Sequence, residues 1–202
     1  MNAEFKINGK QIETERLILR PFKQSDLNDF FEYASVEGVG EMAGWQHHEN
    51  KDISQRILDS FISEDKTFAI CLKSNNKVIG SLGIEKYGLE DKLTEFNNLK
   101  GREIGYVLSK DYWGQGLMPE AVKAIIDYLF VDLDFDFLTC GYFTFNNQSK
   151  RVQEKCGFKP YRKLESETQL GTKEQTLLNL LLNPSKKLNL VYSHPETLIY
   201  KK

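Results

Sequence analysis

The chain has 202 residues, a formal net charge of −2, and 28% charged against 40% hydrophobic residues. That length suits one ordinary domain with a sizeable core, and the near-balanced charge excludes the broad positive field expected of a polyanion binder. No stretch is apolar enough to span a bilayer, because Asp127, Asp132 and Asp134 interrupt the best candidate, so neither nucleic acid nor membrane is expected as a partner.

In chain order, residues 12–19 read as a strand. Ser25 is expected to cap a helix that places Leu27, Phe30, Phe31 and Ala34 at i, i+3, i+4 and i+7. Residues 38–51 read as a loop carrying Trp45, His47 and His48, and a second helix follows with Ile53, Ile57, Leu58 and Phe61 on one side. Thr67 to Leu72 is expected to be a strand, Ser74-Asn75-Asn76 its turn, and Val78 to Tyr87 its hairpin partner. The polar stretch from Gly88 to Gly101 is too long for a tight turn and reads as a mobile loop. Residues 163–170 and 176–182 read as a hairpin around Gly171, ended by Pro184. There is no internal repeat.

The most informative stretch is Glu103 to Phe130. Ile104, Tyr106 and Leu108 alternate with Glu103, Gly105 and Val107, the pattern of a strand. Pro119 suits the first turn of a helix, and Glu120 there meets the positive end of the helix dipole. Val122, Ile125, Ile126, Leu129 and Phe130 then make one apolar face. Between strand and helix, Gly114 and Gly116 allow a tight turn with uncovered N–H groups. Such a turn at a helix start is either purely structural or an anion site fit for a pyrophosphate. It is too short for a Walker loop, and Pro119 stands where a third Rossmann glycine would be.

Phe137 to Phe143 reads as a buried strand. After it, Asn146 and Ser149 are helix-start residues, Val152 and Cys156 share a face, and Gly157 is a C-cap. The three cysteines, Cys71, Cys140 and Cys156, sit in apolar surroundings at no metal-like spacing. With no apolar signal segment in residues 1–10, they fit buried thiols in a reducing cytoplasm. His47 and His48 have no evident third partner, so no metal site is expected.

Three segments carry a family resemblance. Glu103-Ile104-Gly105-Tyr106 followed by Tyr112-Trp113-Gly114-Gln115-Gly116-Leu117-Met118-Pro119-Glu120-Ala121 resembles the coenzyme A loop of the GNAT acetyltransferases, and most of all their RimJ/RimL-type branch. Asn146 to Phe158 is similar to the N-x-x-S-x-x-V-x-E-K-x-G-F segment of that branch. Glu13 to Pro21 is similar to its first strand. Together they cover roughly residues 12–182. The resemblance implies an α/β fold with a GNAT-type mixed, mostly antiparallel sheet, splayed between its fourth and fifth strands (103–108 and 137–143), with helices on both faces. It implies a single acetyltransferase domain over residues 1–202, of which 183–202 depart from the family's ending. The apolar residues Leu188, Leu190, Val191, Tyr192, Leu198 and Ile199 there suggest an added strand or a homodimer contact.

The resemblance also implies an activity: transfer of an acetyl group from acetyl-CoA, the cosubstrate, to a primary amine on a protein N-terminus or a small molecule, directly within a ternary complex. Val107, Leu108, Ser109, Trp113, Gly114, Gln115, Gly116, Leu117, Met118, Asn146, Ser149 and Lys155 are then the expected cosubstrate-binding residues. The pantetheine arm would pair with strand backbone near Val107, Leu108 and Ser109. Lys155, with Lys150 and Arg151, either approaches nucleotide phosphates or forms a solvated helix face. Much of the superfamily has an acidic tyrosine where this chain has Gln153; the RimL-like pattern points instead to Ser149 as a hydrogen-bond donor to the leaving sulfur, or simply as a cap. Glu103 is the expected base, or a structural carboxylate. Asn146 bonds the pantetheine, caps its helix, or does both. Trp45 walls the acceptor site or belongs to the core. The missing tyrosine leaves a second reading, a non-catalytic acyl-CoA-binding regulatory module.

Overall fold

The computed structural model describes residues 2–88, 96–186 and 197–199. They fall into two compact units, Phe5–Gly83 with Tyr106–Ala124, and Met1–Glu4 with Ile84–Gly105 and Ile125–Lys202. Elements run in the order β1 (Ile12–Glu13), β2 (Leu17–Pro21), α1 (Leu27–Ala34), α2 (Lys51–Glu64), β3 (Thr67–Leu72), β4 (Val78–Glu85), β5 (Gly101–Leu108), α3 (Leu117–Asp127), β6 (Phe137–Phe143), α4 (Asn147–Lys155), β7 (Lys159–Glu167), β8 (Lys173–Leu182) and β9 (Thr197–Ile199).

The first unit holds the antiparallel ladder β1-β2-β3-β4. The strand expected over 12–19 is in fact two, because Thr14 turns the chain back: its N–H donates to the Leu17 carbonyl at 2.9 Å and its Oγ1 accepts from the Leu17 N–H at 3.0 Å. Ser25 does not cap α1. A 3₁₀ turn at Gln24–Asp26 leads into the helix, and Asp26 does the organising: it accepts from the Lys23 N–H at 2.8 Å and forms a buried two-pronged ion pair with Arg20 at 2.7 and 2.9 Å. A buried carboxylate that satisfies both a turn and a guanidinium outcompetes an exposed serine. Tyr33, not Phe31, joins Phe30 and Ala34 in the core. On α2, capped by Asn50, Ile57 is exposed while Ser54 and Leu58 are buried. Ser54 is buried because its hydroxyl meets His48 Nδ1 at 2.7 Å.

The second unit holds β5 as far as Gly105, with β6, β8, β7 and β9. β6, β8 and β7 are antiparallel neighbours, while β5 lies parallel to β6 and β9 parallel to β7. β5 and β6 pair only over Gly101–Glu103 with Phe137–Thr139, although β5 runs on to Leu108 and β6 to Phe143. Pairing thus stops where the expected splay begins. Of the stretch read as a mobile loop, residues 89–95 lie outside the described residues; Phe96 is fully buried and stacks on Phe137 at 4.3 Å between centroids. One large aromatic in a polar segment is enough to anchor it. The apolar face of α3 continues past Asp127 through a π-helical turn, Tyr128–Asp132. Of the tail, Thr197–Ile199 adds a strand to β7, and Leu188 to Tyr192 lie outside the described residues.

Candidate active site

The glycine loop belongs to the first unit. β5 ends at Leu108, a short 3₁₀ turn covers Lys110–Tyr112, and α3 starts at Leu117 with Pro119 in its first turn. Gly114 and Gly116 take φ of +78° and +77°, a region that side chains disfavour. The indole N–H of Trp113 donates to the Leu108 carbonyl at 2.8 Å, which ties the loop to the strand end. Leu117 and Met118 are buried and anchor the helix start. The Ser109 N–H is already given to Ile79 at 2.8 Å. With Leu108's carbonyl and Ser109's N–H both engaged inside the protein, any strand-like pairing along 107–109 has fewer backbone groups to use than the alternation alone implied.

Beside this loop stands a charged cluster that the sequence reading missed. Glu120 accepts from Thr14 Oγ1 at 2.5 Å, from the Arg16 backbone N–H at 2.9 Å and from Arg16 Nε at 2.7 Å. Arg16 in turn donates from its guanidinium to the Gln115 carbonyl at 3.0 Å and lies 3.7 Å from where a side chain would start at Gly116. Burial works to raise the Glu120 pKa, but the hydrogen bonds from Thr14 and Arg16 and the Arg16 charge outweigh it and hold the carboxyl below its usual range. The result is a half-exposed guanidinium locked beside a glycine turn at a helix start, an arrangement that favours anions.

The second cluster lies in the other unit. Asn146 accepts from the Ser149 N–H at 3.0 Å, so it does cap α4. Gln153, with no exposed surface, donates from Nε2 to the Gly141 carbonyl and to Ser149 Oγ, each at 3.2 Å. Its Oε1 accepts from Asn179 Nδ2 at 2.9 Å. Glu103 stands in register with Thr139, and its Oε1 lies 3.7 Å from where a side chain would start at Gly141. The hydroxyls of Thr139 and Thr176 and the Asn179 Oδ1 are buried without a hydrogen bond among the described residues. Gly105 adds nothing but open space above β5. A carboxylate over a glycine, edged by unused hydroxyls, suits binding and deprotonation of an amine.

Thus Glu103, Asn146 and Ser149 fall in one unit, Glu103 beside Gly141 and Ser149 linked to the Gly141 carbonyl through Gln153, with Lys155 exposed at the end of α4. Trp45 and residues 107–118 belong to the other unit. There Trp45 packs partly buried against the cluster of Phe30, Tyr33 and Leu58, 5.2 Å from the His48 ring. His48 is buried, which lowers its pKa, and His47 adds to the effect. His47 itself reaches Glu41 at 2.8 Å. Arg16, Thr14 and Asn179 were missed because their partners lie about a hundred or tens of positions away. One signal was available for Asn179: it interrupts the apolar run Leu177 to Leu182 in a strand, and a buried amide needs a partner.

Residues 16–159 match the family described as acetyltransferase (GNAT) domain. A Bacillus subtilis (strain 168) protein described as probable N-acetyltransferase YjcK is 31% identical over 145 residues, covering 67% of this chain and 70% of its own. Among solved structures, a GNAT-family acetyltransferase from Bacillus anthracis superposes with a TM-score of 0.73 at 22% identity, over 86% of this chain and 99% of that one. A ribosomal-protein-S5-alanine acetyltransferase from Vibrio fischeri does so with a TM-score of 0.65 at 20% identity, over 87% and 97%. At those identities the two structures speak for the fold alone. The chain belongs to the GNAT acetyltransferase family, whose members are N-acetyltransferases using acetyl-CoA.

Proposed function

We propose that this chain forms a single cytoplasmic acetyltransferase domain that moves an acetyl group from acetyl-CoA directly to a primary amine, on a protein N-terminus or a small molecule. The observation that carries the reading is the loop at Gly114 and Gly116, held at positive φ ahead of α3 with Arg16 locked against it by Glu120. That loop takes the pyrophosphate, with Val107, Leu108, Ser109, Trp113 and Asn146 along the rest of the cosubstrate. Glu103 receives the proton as the amine nitrogen attacks the thioester carbon, directly or through one water, and the C–S bond then breaks. Ser149 donates a hydrogen bond to the departing sulfur. A serine hydroxyl is too weak an acid to protonate a thiolate outright, so its contribution is a bond that strengthens as charge grows. The three buried free cysteines, Cys71, Cys140 and Cys156, agree with a reducing compartment.

The test is thermal stability with acetyl-CoA, followed by thiol release against a panel of peptide N-termini, polyamines and aminoglycosides. Binding to the native state alone adds about 2.7 kcal/mol at a hundredfold excess over Kd. No thermal shift at millimolar acetyl-CoA in a folded sample removes the reading. A shift without turnover on any amine leaves the non-catalytic acyl-CoA-binding module instead.

A further inference from the structure

Gln153 occupies the α4 position where much of the superfamily has an acidic tyrosine, yet it is an amide with no exposed surface. Its orientation is dictated from outside itself. The Gly141 carbonyl is an acceptor only, so the Gln153 group facing it at 3.2 Å must be the NH₂. That leaves Oε1 toward Asn179, which must present its own NH₂ at 2.9 Å. The same Gln153 NH₂ meets Ser149 Oγ at 3.2 Å, and so forces the serine oxygen to accept on that side. The serine O–H is then directed away from Gln153. Hydroxyl rotors are otherwise among the softest torsions in a protein, and polarity here passes from a backbone carbonyl through the Gln153 amide to one O–H, with Asn179 fixing the other end of that amide.

We infer that Gln153, braced by Asn179, is a positioning residue that aims the Ser149 hydroxyl at the coenzyme A sulfur. This rests on the reading that Ser149 serves that sulfur. Asn179 holds its place although its Oδ1 is buried with no hydrogen bond among the described residues, a cost that a merely space-filling residue in a strand would not incur.

The test needs no acceptor and uses free coenzyme A as its probe. The thiolate of bound coenzyme A is followed by its ultraviolet band as pH is raised, in the whole protein and in Ser149→Ala, Gln153→Met and the double variant. A donated hydrogen bond favours the thiolate and lowers the bound thiol's pKa. Ser149→Ala is expected to raise that pKa by about one unit, the size of one hydrogen bond to a charged group. Gln153→Met is expected to raise it by most of the same amount, and the double variant no further, because both remove one interaction. If Ser149→Ala raises the value and Gln153→Met does not, or the two effects add, the positioning role is overturned while the serine's role stands. If neither changes it, both fall. Should Gln153→Met not fold, Asn179→Leu, which only frees the Gln153 Oε1, must give a smaller rise in the same direction; no rise overturns the proposal.

Discussion

The glycine loop and the α4 cluster solve the same problem, holding polar groups ready for a ligand, by opposite means. At the loop the groups are backbone N–H donors and one guanidinium, kept in place by a carboxylate: Arg16 and Glu120 meet at 2.7 Å with Arg16 about half exposed. Beside Ser149 two buried neutral amides, Gln153 and Asn179, bond in series. Charge suits the first region because the ligand proposed for it, a pyrophosphate, brings compensating charge and displaces water. Neutral amides suit the buried Gln153 and Asn179, where an unpaired charge would cost far more than a hydrogen bond returns. The difference teaches that the loop should respond to pH and salt, and the α4 cluster to shape.

The largest effect is expected at Glu103, the carboxylate beside Gly141. Glu103→Gln should lower kcat/KM by roughly 10²–10⁴, with less loss at high pH where the amine is already neutral, and with acetyl-CoA affinity unchanged. Steady-state kinetics across pH on an accepted amine measures this, and near-parental turnover would remove the base role. Next comes the loop. Gly116→Val penalises a positive φ by roughly 1–2 kcal/mol and blocks close approach of a phosphate, so coenzyme A affinity should drop by at least about tenfold in calorimetry while the fold persists. Unchanged affinity would make the turn merely structural.

Smaller again is Glu120→Gln. It should cost about 1–2 kcal/mol of stability at neutral pH through loss of charge-assisted bonds. Because the folded carboxyl is held below its usual value, its contribution is present above the unfolded pKa, roughly 4.3, and is lost as pH falls through the folded value. Denaturation midpoints of parent and variant should therefore converge in acid, and a constant gap would mean the charge is not what matters. The smallest is Lys155→Ala: an exposed charge is worth at most about 1 kcal/mol, so coenzyme A affinity should weaken severalfold at low salt and hardly at all at high salt. No change at either salt concentration assigns Lys155 to a solvated helix face.

Much of this was legible beforehand because it is local. Gly114, Gly116 and Pro119 constrain their own backbone, Asn146 caps the helix that follows it, and Gly157 takes φ +87° at its end. The misses came where a neighbour's chemistry decided. Ser25 lost its cap to Asp26 because Arg20 was within reach, and Ile57 lost its burial to Ser54 because His48 was. Residues 12–19 hid a turn that depends on one Thr14 hydroxyl.

The sequence by itself determined the element order apart from the turn at Thr14 that divides the first strand, the loop with its two left-handed glycines, and the residue types available for chemistry, since periodicity and backbone freedom are properties of near neighbours. Only the tertiary structure decided that Glu120 answers to Arg16 across 104 positions, that Glu103 stands beside Gly141, and that Gln153 bonds both Ser149 and Asn179. Hydrogen-bond partnership depends on distance in space, and residues far apart along the chain carry no mark of it.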